Sequence, residues 1–245
     1  MSNKENLANI QRRNFLKSGA ALASVSLASG VTLMAMSSAN ASANKNVRWG
    51  MLIDANKCPS DCTACISACS SEHGWENSGL PTDPQWIRKI TLKNKETGRE
   101  NSLPLMCQHC ESPPCVDVCP TGASFKRVDG IVLVDKHKCI GCRYCMMACP
   151  FKARSFVHEK VTGQKTSSPR GKGTVESCNL CVHKLDRGDG TTACVEACKA
   201  SGNDAIIFGD LNDANSDIAK ALANYPSVQL RDDLRLNLGV RYKNI

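Results

Sequence analysis

The sequence predicts an α+β fold of two small cysteine-rich domains, related by a pseudo-twofold, with long loops and a C-terminal extension. Three observations predict it. Sixteen cysteines among 245 residues, about 6.5%, fall into four groups of four with none left over. Short β-prone runs and short helical turns recur around those groups, so the chain reads as an internal repeat. Aromatic residues make up only 4%, and the 42% hydrophobic share leans on alanine and cysteine. Few large apolar side chains remain for a core, which excludes a large enzyme with a Leu/Phe-rich interior. Disordered chains are rarely so rich in cysteine, which argues against disorder. The cysteines are structural, and the question is what they bind.

Residues 1–41 read as an address. Gln11-Arg12-Arg13-Asn14-Phe15-Leu16-Lys17 precedes a mildly apolar, uncharged stretch from Ser18 to Met36. Ala39-Asn40-Ala41 then reads as an A-x-A cleavage site before Ser42. A basic head, an apolar middle and a small-residue end are the layout of a secretory signal. Paired arginines followed by Phe-Leu-Lys resemble the twin-arginine export signal, although Gln11 stands where Ser or Thr is usual. By that resemblance the chain is exported already folded, with its cofactors inserted. The alternative is a membrane anchor, because the stretch is marginally long enough to span. Its weak hydrophobicity and its A-x-A end favour cleavage. Beyond residue 41 no apolar run has the length of a span, so a soluble or peripheral mature chain is expected.

The four groups follow in order. The first is Cys58, Cys62, Cys65 and Cys69. The second is Cys107, Cys110, Cys115 and Cys119, followed by Pro120. The third is Cys139, Cys142, Cys145 and Cys149, followed by Pro150. The fourth is Cys178 and Cys181, then Cys194 and Cys198 after a long insert, Val182 to Ala193.

Three readings compete. Disulfides suit an exported chain with an even cysteine count. Neighbours within a C-x2-C-x2-C loop do not readily pair, however, and a disulfide framework has no reason to repeat one spacing. Zinc would use C-x2-C pairs in twos, and leaves a third Cys two residues on and a fourth three further unexplained. The third group fits the bacterial ferredoxin run C-x2-C-x2-C-x3-C-P, which holds [4Fe–4S] cubanes. Three thiolates on a tight loop bind three irons, and the fourth points away along a short helical turn to the other cluster of a pair. Pro120 and Pro150 suit the end of that turn. The reading is therefore iron–sulfur, with four clusters for sixteen cysteines.

The second and third groups make one central ferredoxin-like domain, residues 101–158. Within it, Ser124–Arg127 and Ile131–Val134 flank Val128-Asp129-Gly130, a hairpin signal. Residues 42–100 supply the first part of an outer ferredoxin-like domain, with β-prone runs at Val47–Ile53 and Ile87–Leu92. Residues 159–210 hold a basic linker and the second part of that domain, with a β-prone run at Ala205–Phe208. The segments ending at Cys119, Cys149 and Cys198 read as single helical turns. The outer groups depart from the ferredoxin run: one extra residue separates Cys58 from Cys62, and Ser70 and Lys199 stand where Pro is usual. Between Lys160 and Thr174 four basic residues (Lys160, Lys165, Arg170, Lys172) have no acidic residue among them. That stretch reads as a flexible solvated linker, with a docking surface as the alternative. In the extension, residues 211–245, Asn215 or Ser216 caps a short helix to about Asn224. Leu230 to Ile245 has no clear period, and such a tail is expected to lie over the cluster domains or a partner.

Other residues carry less. His109 and His183 lie beside cluster cysteines; an ordinary surface or supporting role with no special function is the reading, and donation to cluster sulfur is the alternative. No G-x-S-x-G, H-E-x-x-H, P-loop or G-x-G-x-x-G is present, so no catalytic residue and no substrate site are assigned.

At this point the chain resembles the four-cluster iron–sulfur subunits of the dimethyl sulfoxide reductase, polysulfide reductase and formate dehydrogenase type. The resemblance rests on the four groups, on Met106-Cys-Gln-His-Cys110 with Pro113-Pro114-Cys115, and on Ala205-Ile-Ile-Phe-Gly-Asp210. The signal, the Cys58–Cys69 spacing, Pro169-Arg-Gly-Lys-Gly173 and Gly239-Val-Arg-Tyr242 resemble the exported subunit type of the membrane complex linked to dissimilatory sulfite reductase. The wider resemblance implies shared ligands. Cys107, Cys110, Cys115 and Cys149 hold one cluster; Cys139, Cys142, Cys145 and Cys119 hold its neighbour. Cys58, Cys62, Cys65 and Cys198 hold a third; Cys178, Cys181, Cys194 and Cys69 hold the fourth. It also implies a quinone-interacting integral membrane subunit and a second redox protein, such as a cytochrome or a catalytic subunit.

The expected function is electron transfer between those partners, in sulfur metabolism, on the periplasmic side. A subunit of a molybdopterin oxidoreductase or a free-standing periplasmic ferredoxin is the alternative. The charge fits without nucleic acid. The full chain is +8, but residues 42–245 carry 27 basic and 22 acidic side chains, or +5. Each oxidised all-thiolate cubane is about −2, so four bring the loaded chain to roughly −3.

Overall fold

A computed structural model describes residues 43–245 and, as backbone alone, two short strands before them. Those strands, β1 (Val25–Ala28) and β2 (Val31–Leu33), pair antiparallel. The twin-arginine motif and the A-x-A site lie outside the described residues.

Strand β3 (Trp49–Asp54) organises residues 42–245, which form one compact unit. Its sequence, Trp-Gly-Met-Leu-Ile-Asp, is apolar on both faces, as a central strand requires. Met51 and Ile53 enter the main core, while Leu52 faces Ile218 and Ala221 on the opposite side. Strand β10 (Ile206–Asp210) pairs antiparallel with β3, from Ile206 opposite Ile53 to Asp210 opposite Trp49. Strand β11 (Val240–Lys243) pairs parallel with the other edge. Gly50 makes this possible, because a Cβ there would overlap the Gly239 carbonyl oxygen and Leu211.

The tail therefore contributes a strand that its own sequence does not announce. Its partner supplies the order: Val240 and Tyr242 alternate into the core with exposures of 1% and 0%. The helix before it (Asp217–Asn224) starts at Ser216, whose side chain accepts from the Ala219 N–H at 3.1 Å, as the capping reading expects.

The remaining strands form hairpins that present cysteine loops. Strands β4 (Ile87–Lys93) and β5 (Glu100–Met106) pair in register, and β5 ends directly before Cys107. Strands β6 (Ser124–Lys126) and β7 (Val132–Val134) form the expected hairpin around Asp129-Gly130. Strands β8 (Ser155–Phe156) and β9 (Val175–Glu176) pair across residues 157–174.

Helix length follows the prolines. Helix α1 (Ala64–His73) has ten residues and runs past Cys69 to Gly74, which ends it at φ 67°. Helices α2 (Pro114–Asp117) and α3 (Tyr144–Ala148) stop before Cys119-Pro120 and Cys149-Pro150. Proline pushes the residue before it out of the helical region, and Cys149 is extended at φ −74°, ψ 111°. Helix α4 (Val182–Arg187) fills the insert of the fourth group. Helix α5 (Ala193–Ala200) has eight residues, so the single-turn expectation for the segment ending at Cys198 fails. The reason is the missing proline: Lys199 stands after Cys198 and the helix continues. Helix α1 packs on α5, and α2 on α3. The helix at Asp217–Asn224, α6, covers β3 and β10.

Segment 160–174 is not a free basic tether. Lys160, Lys165 and Lys172 are exposed. Arg170 turns inward and makes a two-point pair with Glu176, at 2.9 and 2.8 Å, with side chains 7% and 0% exposed. Its Nη1 also donates to the Gly74 carbonyl. The partner lies just past the segment's end, which is why the local charge balance misses it.

Candidate metal centres

The fold brings the sixteen cysteines together four at a time. Cys58, Cys62 and Cys65, at the start of α1, meet Cys198 of α5 around one small cavity. Cys107, Cys110 and Cys115 meet Cys149 around a second. Cys139, Cys142 and Cys145 meet Cys119 around a third. Three sites of the same make-up, each with four cysteines, point to one common occupant. The remaining four gather as well. Burial, then the neighbouring Cys194 and Cys181, push the Cys69 thiol up, although the Trp75 N–H opposes them. Burial, then Cys69 and Cys194, do the same to Cys178. None of the sixteen is paired in a disulfide.

The quartets suit a polynuclear group and not a single ion. A tetrahedral zinc with Zn–S of about 2.3 Å holds its sulfurs within roughly 4 Å of one another. Among the described residues no three His, Cys, Asp or Glu side chains converge closely enough for one metal ion. Thiolate donors around a wider space fit a [4Fe–4S] cube. Burial also pushes the thiols of Cys65, Cys110 and Cys194 up to about 12. Thiolates so placed require a positive partner in their midst, and iron is one.

Donors surround the sulfurs. Backbone N–H groups of Ala205, Ser124 and Val175 point at Cys198, Cys119 and Cys139 at 3.2, 3.3 and 3.4 Å. The Asn203 amide reaches Cys62 at 3.4 Å, and the Arg154 guanidinium reaches Cys115 at 3.1 Å. Such bonds tune the potential of a bound cluster.

The two histidines named as alternative donors to sulfur have other partners. His109 is buried and its Nδ1 accepts from the Val132 N–H at 3.0 Å. Burial, reinforced by nearby Arg154, holds its pKa down to about 3. His183 pairs with Glu72 at 2.6 Å. The ring that meets sulfur is His73, whose Nε2 lies 3.4 Å from Cys181 and which stacks on Trp86. It is 108 residues from Cys181, so no spacing in the sequence announces it. Arg154, Trp75 and Asn203 escape a sequence reading for the same reason.

Charge coupling links the quartets in series. Cys65 of the first is close enough to Cys194 for their charges to interact, and Cys69 to Cys65. Cys178 senses Cys107, and Cys115 senses Cys145. The order is the Cys58 quartet, the Cys178 quartet, the Cys107 quartet, the Cys139 quartet. The eight cysteines of the two middle quartets are buried. At the ends Cys142 is exposed, and Cys58, Cys62, Cys119 and Cys139 are half-buried. Apolar Ile140, Tyr144 and Met147 surround the Cys142 end at exposures of 67%, 56% and 74%.

Comparison with known proteins agrees with this geometry. Residues 100–210 match the family model of the 4Fe-4S dicluster domain. The chain is 41% identical over 226 residues to the Hdr-like menaquinol oxidoreductase iron-sulfur subunit 1 of Archaeoglobus fulgidus, across 81% of this chain and 84% of that one. The chain belongs to the 4Fe-4S iron–sulfur subunit family. The iron–sulfur subunit is also 38% identical over 202 residues to a sulfite dehydrogenase subunit of Allochromatium vinosum, across 74% of this chain and 76% of that one. It is 34% identical over 239 residues to protein NrfC of Escherichia coli K12, across 95% and 92%. This iron–sulfur subunit carries 4Fe–4S clusters and serves electron transfer in an oxidoreductase complex.

Proposed function

We propose that the subunit holds four [4Fe–4S] clusters, one in each quartet, and so connects a quinone-interacting integral membrane subunit with a second redox protein. The ligand sets are the quartets as they lie: three cysteines from one group and a fourth from a helix or turn of another. When bound, the clusters supply one-electron reduction and reoxidation. The observation that carries the reading is the row itself, buried in the middle and open to solvent at both ends. A carrier with one exposed end could only receive and return electrons at the same face. Two exposed ends suit two partners.

The chain's own residues do the rest. Backbone and side-chain N–H groups hold the sulfurs, and the apolar cover excludes water from the middle quartets. Ile140, Tyr144 and Met147 offer an apolar rim at one end for a partner surface. Two helix pairs, α1 with α5 and α2 with α3, support two ferredoxin-like halves related by a pseudo-twofold. The Arg12-Arg13 motif supports export by the twin-arginine route, with the subunit periplasmic and held at the membrane by its partner.

The finer assignment is to sulfur metabolism, in the manner of the subunit of the complex linked to dissimilatory sulfite reductase. Relatives named for sulfite dehydrogenase and tetrathionate reductase support it. The test is anaerobic purification of the native complex, with iron analysis and EPR. About sixteen iron per chain and a copurifying multispanning membrane protein are expected. About eight iron, or zinc, overturns the four-cluster reading. Four clusters with no membrane partner leave a free-standing ferredoxin. Copurification of a molybdopterin enzyme selects that assembly.

A further inference from the structure

Arg154 is a buried cation without a carboxylate. It precedes β8 and is 5% exposed. Its one hydrogen bond among the described residues runs from Nη2 to Cys115 Sγ at 3.1 Å. Its Nε and Nη1 are buried and have no partner there. Cys107 and Cys145 lie beside the same guanidinium. Cys107 and Cys115 belong to one quartet and Cys145 to the next. Cys110 of the same quartet also senses it, as do Lys136 and His109, and neither of the last two is an anion. A charge taken out of water must be paired or pay in stability. The negative charge it needs has to come from the two quartets it bridges.

We propose that Arg154 is the shared counter-ion of the Cys107 and Cys139 quartets, and that it sets their reduction potentials above the values they would have without it. Arginine suits this task. Its fork of donors can address two acceptors at once, and it stays protonated throughout. Reduction adds one electron to a bound cluster and breaks no bond. The fixed cation between the two quartets stabilises that added negative charge, with no proton required. The cations beside the other two quartets, Lys89 at Cys58 and Lys184 at Cys181, are less buried and each sits at one quartet, so the shared effect of Arg154 divides the row into two halves. The Asn203 amide and the Trp75 indole serve those quartets as neutral donors.

This rests on the four-cluster reading, and iron content separates the two failures. The full-length subunit is purified anaerobically as wild type, Arg154→Gln and Arg154→Lys. Iron is counted, and each protein is titrated with dithionite as electron source and followed by EPR. Wild type with far less than sixteen iron overturns the cluster reading and says nothing special of Arg154. With the iron in place, two of four midpoints are expected to fall in Arg154→Gln by at least tenfold in the reduction equilibrium, 59 mV for one electron. The other two stay. In Arg154→Lys a single ammonium cannot serve both Cys115 and Cys145, so the same two midpoints fall by smaller, unequal amounts. This second variant carries the test if the first does not load. Unchanged midpoints in the loaded variants, or one uniform fall across all four, overturn the proposal.

Discussion

The indole N–H of Trp75 points at Cys69 Sγ from 3.4 Å, and both residues are buried. The pair closes the turn after α1, where Gly74 reverses the chain and brings the ring back over its own helix. A donor aimed at a thiolate stabilises negative charge, and more so when reduction adds another. Trp75→Phe keeps the ring and removes the donor. One midpoint of the four is expected to fall by about 40 mV, from ~1 kcal/mol for the lost bond. An EPR redox titration in which no midpoint moves refutes the role.

The buried pair Arg170–Glu176 predicts a stability effect in place of a redox one. Breaking a buried pair strands one charge and costs roughly 3–5 kcal/mol. Arg170→Met is therefore expected to lower the temperature at which cluster absorbance is lost, at fixed scan rate. Arg170→Met with Glu176→Leu removes both charges and recovers most of the loss. A double variant no better than the single one contradicts this account.

Acid should release the C-terminal strand. Burial pushes the Asp54 carboxyl up, but the Asn244 amide, the Lys243 ammonium and the Asn56 N–H outweigh it and hold it below the usual carboxylate range. Its contribution is then complete above about pH 4, the ordinary value for Asp, and is lost as pH falls through the lower folded value. Limited proteolysis of residues 240–245 should be slow at neutral pH and quicken below that point. Lys243→Met removes one of the groups that lower the carboxyl's pKa and shifts the onset upward. Equal cleavage at all pH values rules the mechanism out.

Gly141 sits between Cys139 and Cys142 at φ 72°, and a Cβ there would overlap the Gly173 carbonyl oxygen. Both conditions oppose any larger residue. Gly141→Ala is expected to cost the Cys139 quartet its metal, leaving about twelve iron in place of about sixteen. Full iron content in that variant shows that the loop can open.

The cysteine groups were legible because a C-x2-C step and a closing C-x3-C step recur in all four. The Asp129-Gly130 hairpin and the Ser216 cap were legible because each is a local rule. Strand β11 was not, since its order comes from β3, almost the whole described chain away. Arg154 and His73 were not, because a single residue that meets a cysteine across the fold leaves no pattern. Arg170 misled for the opposite reason: its charge was counted within a segment, while its partner lies two residues outside it.

The parallel pairing of β11 with β3 also sets an order of events in synthesis. Strand β3 is made well before both of its neighbours, β10 and β11. Its edges stay unpaired until residues 206–210 and 240–243 have followed, and Cys58 waits for Cys198 in the same way. The Cys58 quartet is therefore assembled late relative to the Cys107 and Cys139 quartets, whose eight cysteines all lie between residues 107 and 149.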